Sequence, residues 1–235
     1  MIRAILLDKD GTLTDFRATW EAWMPTMIHA LAHESGAEAD TVAKAFGFDL
    51  ATGRIPADGL FVTAPGHVVT AGVASVIGWP TARLSRWLAP RSHVVRQVMV
   101  PGVPQVLARL HAAGLPIGIL TNADEAEAHR HLIGMGIGHL LHRVIGCDSG
   151  FGAKPDPRGA ADFADALELP RGSVALVGDG RTDMAAAKGA GLVPVAVLTG
   201  TLGHADLSPL AEAVLPDITG LPAWLATRGI GVPAA

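Results

Sequence analysis

Apolar residues fall along this chain in two textures. Ile2, Ala4, Ile5, Leu6 and Leu7 form a near-continuous run, the pattern of a parallel strand covered on both faces, and it stops at Asp8-Lys9-Asp10-Gly11. From Phe16 to about Arg96 the apolar positions recur instead at helical spacing, over 18–33, 37–48, 63–77 and 81–95, with Gly and Pro between them and no strand evident. Trp20, Trp23, Met27 and Leu31 stand three or four apart, as on the core face of a helix. After Val98-Met-Val-Pro-Gly102 helices and short apolar runs alternate. They comprise a helix over 103–113 capped by Gly114, a strand over 116–120, a helix over 123–135, a strand over 143–145, a helix over 157–167, a strand over 174–177, a helix over 182–190 and a strand over 193–198. Alternation that resumes after an all-helical interruption predicts an α/β chain. Residues 1–15 and 97–235 would share one parallel sheet, with 16–96 inserted as a separate helical domain. The tail from Gly229 to Ala235 is expected to fray.

Composition narrows the function classes. At 235 residues and 49% hydrophobic content the chain can bury a substantial core. A net charge of -4 and the lack of any Lys/Arg cluster argue against nucleic acid as a partner. The single cysteine, Cys147, excludes an internal disulfide, the early Asp8 interrupts any secretory apolar region, and no apolar stretch is long enough to span a bilayer. The expectation is a cytoplasmic protein that neither enters a membrane nor binds nucleic acid. Its oligomeric state is not encoded in any pattern found.

The candidate chemistry lies where strands end, because the ligand crevice of an open parallel sheet lies beyond the strands' carboxyl ends. Asp8 and Asp10 follow the first strand. Residues two apart in extended chain face the same side, so their carboxylates can converge on one substrate atom, with Lys9 pointing away. A plain strand followed by an acidic turn would use the same residue types. Thr121 and Asn122 close the strand over 116–120, and Gly178-Asp179-Gly180-Arg181-Thr182-Asp183 follows the strand over 174–177. Lys154 sits in Gly152-Ala-Lys-Pro-Asp-Pro157, in a loop that the next proline holds extended. Acids, a hydroxyl and one lysine form a set suited to phosphate and magnesium. Elsewhere, His29 and His33 lack a third ligand and read as a surface pair. The loop Ala51–Gly59 carries Arg54, which could meet an anionic substrate or equally be a solvated arginine.

These motifs, Asp8-x-Asp10-Gly-Thr-Leu, Thr121-Asn122, Lys154-Pro155 and Gly178-Asp179-x-x-x-Asp183, stand in an order that resembles the haloacid dehalogenase-like hydrolase superfamily along nearly the whole chain. Four motifs in order are far rarer than one. Val100-Pro-Gly-Val103 also resembles the segment that re-enters the core after an inserted cap. The resemblance implies a Rossmann-like core, 1–15 and 97–235, with a helical cap, 16–96, as in phosphoglycolate phosphatase-like members. It implies a phosphatase for small phosphate monoesters in which Asp8 is the nucleophile and Asp10 the acid and base. Mg2+ would be held by Asp8, the Asp10 carbonyl and Asp179, with Asp183 a nearby ligand or water-holder. Thr121 and the backbone amides of Asn122 and Lys9 would bind phosphoryl oxygens, and Lys154 would neutralise charge on Asp8 and the phosphate. The cap would close over the substrate, with Arg54 meeting a second anionic group. Lys9 departs from the family pattern, which usually carries an apolar residue there.

Related chemistries remain in view. A haloacid dehalogenase would not need Asp10, and a phosphonatase would need a cap lysine, for which only Lys44, in a helical run, is present. A sugar-phosphate mutase of the β-phosphoglucomutase type has the same motifs and returns the phosphoryl group to substrate. A catalytically idle binding protein of the same fold is the alternative from outside enzymology.

Overall fold

The computed structural model describes residues 1–57 and 59–233. Asp58, in the loop bearing Arg54, and residues 234–235 of the tail lie outside the described residues. In chain order β1 (Ala4–Leu7) is followed by six helices: α1 (Phe16–Trp20), α2 (Met24–Ser35), α3 (Ala39–Phe46), α4 (Leu60–Thr63), α5 (Gly66–Val76) and α6 (Thr81–Ser92). Then come α7 (Val103–Ala112), β2 (Ile117–Leu120), α8 (Glu125–Gly134), β3 (Arg143–Ile145), α9 (Arg158–Ala166) and β4 (Val174–Gly178). The chain closes with α10 (Arg181–Ala190), β5 (Val193–Val197), α11 (His204–Leu207), β6 (Ala213–Leu215) and α12 (Leu221–Ala226). Two compact units result, Met1–Asp15 with Met99–Ala235, and Phe16–Val98.

In the larger unit all six strands run parallel in the order β3-β2-β1-β4-β5-β6. Leu7 pairs with Ile119 on one side and Val177 on the other. The continuous apolar run of β1 is explained by this central place, since alternate side chains feed two different cores. Ile5 and Leu7 join Ile117, Ile119, Val177 and Val195 on the face covered by α7, α8 and α12. Ala4 and Leu6 join Leu120, Val174 and Leu176 on the face covered by α9 and α10. Gly118 in β2 leaves room there for Phe163, whose ring would lie 2.4 Å from any Cβ at that position. The chain winds to β2 and β3 on one side of β1 and to β4, β5 and β6 on the other. The crevice beyond β1 and β4 is therefore a topological switch point.

The smaller unit is helical. Met27, Ile28, Leu31, Val42, Phe46, Val73 and Leu84 form its core, with α3 against α2 and α5, and α5 against α6. The helix expected over 18–33 is divided into α1 and α2, with Pro25 in the first turn of α2, where a missing N–H costs nothing. The helix expected from Thr63 starts at Gly66, because Pro65 is extended with ψ 148° and leaves α4 as a separate turn. β6, Ala213–Leu215, is an edge strand that the sequence pattern does not announce. The tail also differs from expectation over 229–233. Arg109 donates to the carbonyls of Pro233, at 2.5 Å, and Val232, while Ile230 and Val232 pack on the core. No helix among the described residues is long and apolar enough to cross a membrane.

Candidate active site

The ladder of β1 continues one residue past the strand, the Asp8 N–H donating to the Val177 carbonyl at 2.8 Å, so Asp8 enters the crevice from a fixed backbone. The chain then turns tightly, and the Lys9 carbonyl accepts from the amides of Leu13 and Thr14. Gly11 serves that turn twice. Its φ is +86°, and a Cβ there would fall 2.4 Å from an Asp179 carboxylate oxygen. Asp179 follows β4, and Asp183 stands in the first turn of α10, where its Oδ2 accepts from the Gly180 N–H at 2.9 Å.

Lys154 joins these elements. Its Nζ donates to Asp8 Oδ1 at 2.5 Å and to Asp183 Oδ1 at 2.6 Å, and only 5% of the residue is exposed. Its backbone is clasped by the Asn122 side chain, with Lys154 N–H to Oδ1 at 2.8 Å and Nδ2 to the Lys154 carbonyl at 3.1 Å. Asn122 thus serves the lysine with its side chain, leaving its backbone amide as the group that could face a substrate. Thr121 is buried beside it, and its Oγ1 accepts from the Ala123 N–H at 3.2 Å.

Ligand oxygens of Asp8, Asp179 and Asp183 all lie within 4.8 Å of one another, and all three residues are buried. Burial pushes the Asp8 carboxyl up to about 6, Lys154 opposing and Asp183 and Asp10 assisting. Burial, then Asp8 and Asp183, raise Asp179 well above the usual carboxylate range. For Lys154 burial works against the ammonium, but Asp183 and Asp8 prevail and hold it charged beyond the ordinary lysine range. Three buried carboxylates facing one ammonium leave excess negative charge on hard oxygen donors, a set that fits a divalent cation such as magnesium.

Asp10 is 21% exposed. The Lys9 side chain, expected to point away from the aspartates, instead returns to Asp10, Nζ to Oδ2 at 2.6 Å, while remaining fully buried. The four methylenes explain the difference: the stem follows the apolar direction and the ammonium bends back to the nearest carboxylate. Arg54 belongs to the smaller unit, where it is 61% exposed and meets Glu21 Oε2 at 3.0 Å. His29 and His33 are exposed on α2.

Sequence reasoning missed Thr199 and Gly200, beyond β5. Thr199 Oγ1 donates to the Gly11 carbonyl at 2.6 Å, and a Cβ on Gly200 would sit 1.7 Å from Asp179 Oδ2. The signal was available, since Thr199-Gly-Thr201 closes a strand in the same way as the recognised motifs. Asp124, Cys147 and Asp148 also cluster within 4.8 Å, but burial and the bond from Sγ to Asp124 push the thiol up to about 12. A neutral thiol is a poor metal ligand.

A family model of haloacid dehalogenase-like hydrolases matches residues 2–191. A phosphoglycolate phosphatase of Rhodospirillum rubrum is 35% identical over 147 residues, 61% of this chain and 61% of that protein. The aligned part thus spans under two thirds of that relative. A phosphoglycolate phosphatase of Pseudomonas fluorescens is 29% identical over 211 residues, 89% of this chain and 73% of that one. Among solved structures, CbbY from Rhodobacter sphaeroides in complex with phosphate superposes with a TM-score of 0.72 at 20% identity, over 94% of this chain and 96% of that one. That likeness concerns the fold.

Proposed function

Because this chain belongs to the haloacid dehalogenase-like hydrolase family, we propose that it is a magnesium-dependent phosphatase for a small phosphate monoester, phosphoglycolate or a sugar phosphate. The observation that carries this reading is the buried contact of Lys154 with both Asp8, two residues before Asp10, and Asp183 at the switch point. A nucleophile needs its charge balanced without being blocked, and Lys154 supplies that balance from the protein side.

An Asp8 carboxylate oxygen attacks phosphorus in line, the ester P–O bond breaks, and Asp10 gives its proton to the departing oxygen. In the second step Asp10 takes a proton from water, the water oxygen bonds to phosphorus, and the P–O bond to Asp8 breaks, which returns the carboxylate and releases inorganic phosphate. Lys154 offsets charge on Asp8 and the phosphoryl group. The Thr121 hydroxyl and the amides of Lys9 and Asn122 are the donors for phosphoryl oxygens. Mg2+ held by Asp8, the Asp10 carbonyl, Asp179 and Asp183 would reduce the repulsion between carboxylate and phosphate. The names of the two bacterial relatives support phosphoglycolate as the first ester to try.

The test is phosphate release by purified protein with Mg2+ against a panel of phosphate monoesters that includes phosphoglycolate and sugar phosphates. Release that disappears in excess EDTA and in Asp8→Asn is the expected result. Undiminished turnover in EDTA, or an active Asp8→Asn protein, would overturn the reading.

A further inference from the structure

Lys9 is among the largest fully buried side chains, and the chemistry above gives its ammonium no task. An isolated buried ammonium is strongly disfavoured, so its place in the fold depends on the carboxylates around it. Asp10 Oδ2 lies 2.6 Å from Nζ in an ion pair, and Nζ makes no aligned hydrogen bond besides. Glu127, half-buried on α8, is a second acid within the electrostatic reach of Lys9. Burial raises its carboxyl, and of the charges it feels Lys9 is the strongest, followed by Asp10. Glu127 in turn stands 3.9 Å from the Nε2 of His131, itself buried one turn further along α8. The Lys9 ammonium is therefore paired with Asp10 by contact and with Glu127 through the field of α8.

We propose that Lys9 is a positioning residue for Asp10, its buried ammonium, steadied by Glu127, holding the carboxylate in the orientation from which it exchanges a proton with the leaving oxygen and with water. This rests on the phosphatase reading. Proton transfer demands heavy atoms within about 2.6–3.2 Å, and Asp10 hangs on two rotatable bonds at the rim of the crevice. A misplacement of about 1 Å is enough to cost about 10²-fold in rate. The apolar residue expected between the aspartates would fill the volume and hold nothing. Lys9 fills the same volume and adds a charge fixed against the carboxylate.

The test separates orientation from mere packing by varying the leaving group. Lys9→Met keeps the volume and removes the ammonium. With an alkyl phosphate, whose alkoxide must be protonated, kcat is expected to fall about 10- to 100-fold with KM within about 2-fold of wild type. With p-nitrophenyl phosphate the phenolate leaves unprotonated, so the burst of the first step should survive. Glu127→Gln should repeat the pattern at a few-fold, and it serves where Lys9→Met melts early. In an Asp10→Asn background Lys9→Met should cost nothing further, because the residue it positions is already disabled. Equal losses for both leaving groups, or losses that add to those of Asp10→Asn, would overturn the proposal. If the wild-type protein releases no phosphate, the phosphatase reading fails by itself. Crystals of Lys9→Met still decide the geometric claim: an Asp10 carboxylate in the wild-type position would reject it.

Discussion

Between Phe16 and Val98 the one buried polar side chain among the described residues is Thr19, whereas the larger unit buries Asp8, Lys9, Lys154, Asp179 and Asp183 close to its strand ends. The smaller unit keeps its charges at the rim. Glu34 accepts from the Trp87 indole at 2.5 Å, and Arg83 lies 3.6 Å over the Trp79 ring, while Ile28, Leu31 and Leu84 are fully enclosed. Burying apolar side chains stabilises by about 1.5–3 kcal/mol each, so the helical unit's interior works toward stability alone. Clustered buried carboxylates work the other way and persist where chemistry requires them. The contrast teaches where each kind of information lies: reaction type in the larger unit, and in the smaller one a stable scaffold with little that names a substrate.

The sharpest break of this contrast comes from Asp10→Asn. Loss of a positioned general acid should slow attack on an alkyl phosphate by about 10² to 10⁴. Because Asp10 is also the ion-pair partner of the fully buried Lys9, its loss should lower thermal stability as well, so rates are compared well below the variant's Tm. With p-nitrophenyl phosphate the first step proceeds but the base for water is missing, so phosphorylated enzyme should accumulate, visible by mass spectrometry. No phosphoenzyme and equal damage with both esters would reject the division of labour between Asp8 and Asp10.

Leu31→Ala probes the other unit. Truncating this fully enclosed side chain should cost about 2–5 kcal/mol. Four of the five tryptophans, at positions 20, 23, 79 and 87, lie in the same unit, so indole fluorescence reports its unfolding. Hydrogen exchange should accelerate in α2 and α3 and stay slow in β1 and β4. Equal acceleration in both units would show that they open together and that their interiors cannot be treated separately.

Legibility from sequence follows the same division. The strand ends were readable because burial on both faces forces unbroken apolar runs, and a polar residue that ends such a run stands out, as at Asp8, Thr121 and Asp179. The conjunction of Asp8, Asp183 and Lys154 within one contact set depends on register between β1 and β4 and on the clasp of Asn122, which no local pattern encodes. Lys9 was misjudged because strand alternation fixes where a Cβ points and not where the end of a long stem goes. β6 and the pinned tail were missed for want of periodicity in segments held by tertiary contacts.

A third prediction turns on protonation. Asp8 is raised from an ordinary 3.8 to about 6, and Asp179 moves in the same direction. A carboxyl raised on folding contributes stability that is complete below its unfolded value and is lost as pH rises through its folded value. The Asp8 and Asp179 carboxyls titrate as a coupled pair, and together they make metal-free protein less stable as pH rises from about 4 through 6. Mg2+ requires the ionised form, so its addition should raise Tm clearly at pH 7.5 and little at pH 5. Calorimetry in EDTA and in Mg2+ across this range measures it. A Mg2+ effect on Tm that is the same at both pH values would contradict the assignment of these carboxylates as its ligands.

The smallest expected effect concerns Arg54, the cation that sequence reading singled out in the smaller unit. It is 61% exposed, and its partner Glu21 also holds Arg17 at 2.5 Å and the Ile55 N–H at 3.0 Å. Removing Arg54 therefore leaves Glu21 satisfied, and Arg54→Ala should change stability by less than about 1 kcal/mol, as for other exposed pairs. If Arg54 selects esters that carry a second anionic group, kcat/KM for phosphoglycolate should fall by about 3- to 5-fold relative to an uncharged alkyl phosphate, the most that a solvent-screened pair supplies. Added salt should erase that preference in the wild-type protein, since exposed charges are screened within about 3 Å at 1 M ionic strength. A loss equal for both esters, or a preference that survives high salt, would leave Arg54 only as a partner of Glu21, and the choice of substrate would then have to come from groups other than this arginine.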